Sequence, residues 1–106
     1  MAALAAAAVA VNSSRPATAI AHDAPDARLV VFRIGAGQAV APHTSTSSVI
    51  MVIAAGSGWV QDETDERAVK AGDVIAFEPH ERHGMRADAE ELVVLAIIAP
   101  RPGARS

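Results

Sequence analysis

From Ala27 onward the chain sets short apolar runs, rich in β-branched residues, between clusters of glycine, proline and polar residues that recur about every dozen positions, the phrasing of an all-β sandwich or barrel. Leu29 to Ile34 predicts a strand ending at Gly35-Ala36-Gly37, and Ala39 to Ala41 predicts a short one broken by Pro42. After a polar stretch from Thr44 to Ser48, the apolar run Val49 to Ile53 predicts a buried strand closed by Gly56-Ser57-Gly58, with Trp59 to Gln61 beginning its return. Asp62 to Arg67 reads as a charged hairpin loop, Ala68 to Lys70 leads into the turn Ala71-Gly72-Asp73, and Val74 to Phe77 predicts the next strand. A loop over Glu78 to Gly84 precedes a long apolar strand over Leu92 to Ala99. Only the N-terminal alanine run and Ala87 to Glu91 invite a helix.

Antiparallel strands in so short a chain must close or cover their edges, and a jelly roll of two facing sheets does both. A length of 106 residues suffices for one core and not for two. The expected organisation is an irregular Ala-rich N-terminal segment over 1–26, placed to act as a dimer arm, a barrel over 27–100 and a tail over 101–106. A domain of this size buries a modest share of its surface, so a homodimer is the expected further source of burial.

Composition removes several function classes. Lys and Arg total 9 against 12 Asp and Glu, for a net charge of -3, and the basic residues are scattered, so there is no electrostatic footprint for nucleic acid. One Trp, two Phe and no Tyr leave no platform on which bases could stack. The absence of cysteine excludes disulfides, thiolate metal sites and a thiol nucleophile. Met1 to Val11 is shorter than the roughly 20 apolar residues of a membrane span. Ala8-Val9-Ala10 has the small-residue form of a cleavage site, but the first basic residue is Arg15, later than a signal peptide places it. A cytoplasmic protein without membrane contact is expected.

The candidate chemistry lies in five spaced positions. Five residues separate Gly37 from His43, Gly56 follows further on, and Gly72 stands before His83. In these separations the chain resembles the cupin superfamily, whose two motifs run G-x5-H-x-H-x3,4-E-x6-G and G-x5-P-x-G-x2-H-x3-N. The resemblance covers Leu29 to about Ala99 and implies a double-stranded β-helix, the cupin barrel. It also implies that His43, Ser45, Val49, Met51 and Ile53 point inward, with His83 and Met85 opposite them, as an apolar pocket holding two imidazoles. The departures are specific: Ser45 stands in place of the second histidine and Val49 in place of the glutamate. In the second motif Glu78 stands for proline with Pro79 one place late, His80 for the turn glycine, and Ala87 for asparagine.

In the family, three imidazoles and a carboxylate hold one divalent transition metal, a donor mixture that suits Zn, Fe, Mn, Ni or Cu. Here two imidazoles keep their places, a serine hydroxyl is a weak ligand and a valine offers none. His80, three residues before His83, would restore a third ligand if its loop folded inward, with water in the fourth position; its place at a turn glycine favours the barrel rim. Three functions follow. The first is a barrel pocket, centred on His43 and His83, that binds a small molecule. The alternatives are a metal-dependent enzyme of dioxygenase, isomerase or lyase type and an assembly role. Among the remaining residues, His22 is expected in a surface turn, Trp59 in the core or a dimer contact, and Glu78 and Glu81 as solvated rim charges.

Overall fold

The computed structural model describes residues 3–5 and 9–102. The alanine run is therefore described only in part: Met1, Ala2, residues 6–8 and the tail residues 103–106 lie outside the described residues. Seven strands are present: β1 Ala17–Ala24, β2 Ala27–Ile34, β3 Ala39–His43, β4 Ser48–Gln61, β5 Glu66–Lys70, β6 Val74–Phe77 and β7 His83–Ala99. All pairings are antiparallel, and no helix occurs among the described residues.

Two long strands build the barrel by serving both of its halves. The first part of β4 and the second part of β7 join β1, β2 and β6, whereas the second part of β4 and the first part of β7 join β3 and β5. This is the expected double-stranded β-helix. The bend lies at Gly56, where φ is 78° and a Cβ would collide with the Glu91 carbonyl oxygen. Gly56-Ser57-Gly58 therefore bends β4 without ending it. Opposite the bend, β7 bulges: Gly56 pairs with Leu92 and Gly58 with Ala87, so residues 88–91 face Ser57 alone. The expected helical turn over Ala87 to Glu91 is that bulge within a continuous strand.

The chain also enters the sheet earlier than residue 27. β1 pairs along β2 from Ala17–Arg33 to Ala24–Ala27, and His22, expected in a turn, is an exposed residue of that strand. Alanine at alternate positions disguised it, because alanine scores weakly as either inward or strand-forming. Upstream, Val9 packs on Val31 and Val93 while Arg33 donates from Nη1 to the Val9 carbonyl and forms two hydrogen bonds to the Glu91 carboxylate. The Gln38 amide fixes the next stretch by donating to the Asn12 carbonyl.

Side-chain alternation sorts the sheet faces. Ile34, Ile53, Leu92, Val94 and Met85 point inward and are almost fully buried in the main core. On the outer face of the larger half, the cross-strand row Ala19–Val31–Leu95–Val52–Val74 is apolar from end to end. The next row, His22–Leu29–Ile97–Ile50–Ala76, is apolar apart from His22.

Candidate functional site

The main core does not fill the barrel. A cavity of about 360 Å³ remains at one end, walled by Phe32, Val40, Val49, Met51, Met85, Ala96 and Ile98 and bordered by the loop Thr44–Thr46 and by Pro102, with part of it open. His43 and His83 complete its lining.

A local irregularity aims His43 into this space. Val40 pairs with Met85 and His43 with His83, so β3 spends three residues where β7 spends two. The bulge at Ala41-Pro42 reverses the side-chain alternation, which would otherwise turn His43 outward. Proline is tolerated here because β3 is an edge strand with no further ladder to satisfy. Across the pair, the two imidazole centroids lie 4.4 Å apart at an interplanar angle of 61°. Phe77 stacks at a tilt on the other side of His83, with centroids 5.1 Å apart.

Both rings are oriented by their own backbone. Nδ1 of His43 lies 3.0 Å from the Ala41 carbonyl, and Nδ1 of His83 lies 3.0 Å from the Glu81 carbonyl. A carbonyl can only accept, so Nδ1 carries the proton in each case and the neutral ring keeps Nε2 as an acceptor. Among the described residues no occluded side-chain polar atom lacks a partner and none pairs with Nε2 of His83, so that nitrogen opens on the cavity. Burial holds the His83 imidazole below its ordinary range; the Glu81 carbonyl opposes this and the neighbouring His43 reinforces it.

The other sequence candidates divide. Ser45, Val49, Met51 and Met85 line the cavity, whereas Ile53 is packed in the core away from it. The Ser45 hydroxyl also accepts the Ser47 backbone N–H at 3.1 Å. His80 does not join the pair. It is exposed, at φ 69°, in the turn where the motif has glycine, and its backbone N–H is tied to the Ser45 carbonyl at 2.7 Å. No group of three or more His, Asp or Glu residues able to hold a metal forms among the described residues. Transition-ion sites use at least three protein ligands, so two imidazoles beside Ser45 and Val49 do not fit the ion that the cupin resemblance implies. Outside the cavity, Trp59 lies under the Arg86 guanidinium at 5.1 Å, and Arg86 pairs with Glu66. Asp62 closes the acidic hairpin by accepting the Thr64 and Asp65 backbone N–H groups, which lower its pKa.

Sequence reasoning missed Thr44 and Thr46, which follow Pro42 in a loop without periodicity, and Phe32, whose inward direction depends on the parity of β2. It also missed Ser47, a buried residue whose hydroxyl donates to the Pro100 carbonyl at 2.6 Å and clamps the cavity loop to the end of β7.

A family model described as the AraC-like ligand binding domain matches residues 28–105. No curated protein matches the chain. Among solved structures, the chain is similar to an RmlC-like cupin protein from Desulfovibrio desulfuricans, with 24% identity, a TM-score of 0.81, and coverage of 87% of this chain and 89% of that one. It is similar to an uncharacterised conserved protein with a double-stranded β-helix domain from Klebsiella pneumoniae, at 20% identity, TM-score 0.87 and coverage of 97% and 92%. A third likeness is to KdgF from Halomonas sp., at 23% identity, TM-score 0.78 and coverage of 84% and 83%. At these identities the structural matches establish the cupin fold.

Proposed function

The chain belongs to the AraC-like ligand-binding domain family, and on that premise we propose that it binds a small organic molecule inside the barrel, against His43 and His83. The observation that carries this reading is the cavity of about 360 Å³, with apolar walls and two oriented imidazoles. Ligand pockets are mostly apolar with a few placed polar groups, and their volumes begin near 300 Å³. Val49, Met51 and Met85 supply the walls, and Ser45 contributes a hydroxyl at the mouth. His43 and His83 act as hydrogen-bonding groups. A metal-dependent dioxygenase, isomerase or lyase would need a third ligand, so this reading routes no step through a metal.

The test follows the Met51 and Met85 methyl resonances while small organic fragments are added. Saturable shifts at both methionines are expected, together with their loss in a Val40→Trp variant that fills the cavity. A fragment collection that leaves both methyl groups unmoved would overturn the reading.

We also propose that two copies pair through the outer face of the larger half-barrel. Its two apolar rows span five strands, and the nearby Arg33 charge is already matched by Glu91. At about 4.8 Å per strand and about 6.8 Å per row, these two rows cover roughly 300 Å² in projection, a centre that flanking residues extend toward the ~800 Å² each partner of a standard interface contributes. A face whose one polar side chain is His22 suits a second copy related by a two-fold axis.

A further inference from the structure

We propose that the molecule held in the barrel is neutral, with an apolar body and a hydroxyl group that donates a hydrogen bond to Nε2 of His83. This deepens the reading of the cavity as a ligand site and rests on it. Three observations carry the inference.

Among the described residues, the cavity lining contains no Arg, Lys, Asp or Glu. An ionised carboxylate or ammonium placed there would lose its hydration without a fixed counter-charge, and desolvating an unpaired ion is far costlier than burying a neutral polar group that finds a partner.

The two imidazoles turn acceptors toward the cavity. The Ala41 and Glu81 carbonyls occupy Nδ1 of His43 and His83, leaving Nε2 of each neutral ring as a lone pair. Among the described residues, nothing satisfies Nε2 of His83. A ligand hydroxyl would, whereas an ether or ketone would oppose one acceptor with another. The chain's own hydroxyls in the lining, on Thr44, Ser45 and Thr46, lie in the rim loop, and that of Ser45 accepts the Ser47 N–H.

The walls set the rest of the molecule. Phe32, Val40, Met51, Met85 and Ile98 offer contact surface and no polar side-chain atoms beyond two thioethers. Methionine adapts to irregular and aromatic shapes, so a ring-bearing alcohol or phenol fits the walls.

The test uses four naphthalenes of similar size at pH 8: 2-naphthol, 2-methoxynaphthalene, 2-naphthoate and 2-naphthylmethylammonium, each titrated calorimetrically into the intact protein. 2-Naphthol is expected to bind at least tenfold more tightly than the methyl ether, the ratio that about 1.4 kcal/mol of hydrogen bonding gives. The two ions are expected to bind at least tenfold more weakly than 2-naphthol. His83→Leu removes the Nε2 acceptor and is expected to cut the naphthol-to-ether ratio to below about threefold, while persisting ether binding shows that the cavity still forms; His43→Leu, at an exposed position, is expected to keep the ratio near tenfold. Equal binding of naphthol and ether, or tighter binding of either ion, overturns the inference and leaves the cavity reading standing. Binding of none of the four, with the Met51 and Met85 methyl resonances unmoved, overturns both.

Discussion

His43 and His83 are cross-strand partners, with ring centroids 4.4 Å apart, yet one ring is exposed and the other only 2% exposed. The contact joins an edge strand to the longest strand of the barrel, so a single pairing sets both the mouth and the floor of the cavity. At that distance the neighbouring His43 disfavours a positive charge on His83.

The His83 imidazole is therefore expected to titrate below the ordinary histidine value of about 6.5. Burial is the main cause; the Glu81 carbonyl opposes it, His43 lowers the value further, and the Glu81 carboxylate raises it. A lowered folded value means that the unfolded chain binds the proton first. The stability contribution is full above the unfolded pKa and is lost as pH falls through the folded one. Urea unfolding midpoints are expected to stay level from pH 8 to about 6.5 and to decline below it, with a shallower decline in His83→Gln. A His83 ring resonance that titrates at or above the ordinary value contradicts this.

Two glycines separate backbone conformation from crowding. Gly37 and Gly56 both have φ of 78°, but a Cβ on Gly37 meets nothing within 4 Å, whereas one on Gly56 collides with the Glu91 carbonyl. Gly37→Ala is expected to cost about 1 kcal/mol, the penalty of the left-handed conformation alone. Gly56→Ala is expected to cost more than about 2 kcal/mol and to disturb the β4 bend. Chemical denaturation of the two variants gives the comparison; equal costs would show that the bulge at 88–91 yields freely.

Ser47 ties the cavity loop to the end of β7 through a buried hydroxyl. Ser47→Ala removes the donor and leaves the Pro100 carbonyl without that partner. A loss of about 1–2 kcal/mol is expected, along with faster amide exchange in residues 44–48. Unchanged exchange there would mean that the loop is held by the His80–Ser45 backbone bond instead.

What the sequence made legible was the part governed by short-range rules. Runs such as Val49 to Ile53 and Leu92 to Ala99 declare buried strands because continuous β-branched residues suit little else. The spacing of His43 and His83 indicated the site. Its geometry depended on features without a residue signature: the bulge at Ala41-Pro42 that aims His43, and the depth along β4 at which the core closes, which leaves Ile53 in the core while Met51, on the same face two residues earlier, meets the cavity. β1 escaped because its alternating alanines acquire direction only against Val31 and Leu95. Ser47 escaped because nothing local distinguishes a serine that finds a carbonyl fifty-three positions away.

The outer apolar rows give the last prediction. Val74 ends one row at the β6 edge and is 63% exposed, so Val74→Lys leaves the barrel core untouched while placing a charge on the proposed dimer face. The wild-type protein is expected to have the mass of a dimer by light scattering at micromolar concentration, and Val74→Lys that of a monomer. Burying an unpaired ammonium would cost the interface several kcal/mol, enough to dissociate a pairing of ordinary strength. His43→Leu lies at the cavity mouth, on the other half of the barrel, and serves as the control that should remain dimeric. A monomeric wild type would remove the pairing, and a dimer that survives Val74→Lys would shift it away from this face, toward the open edge of β1 where Ile20 is also exposed.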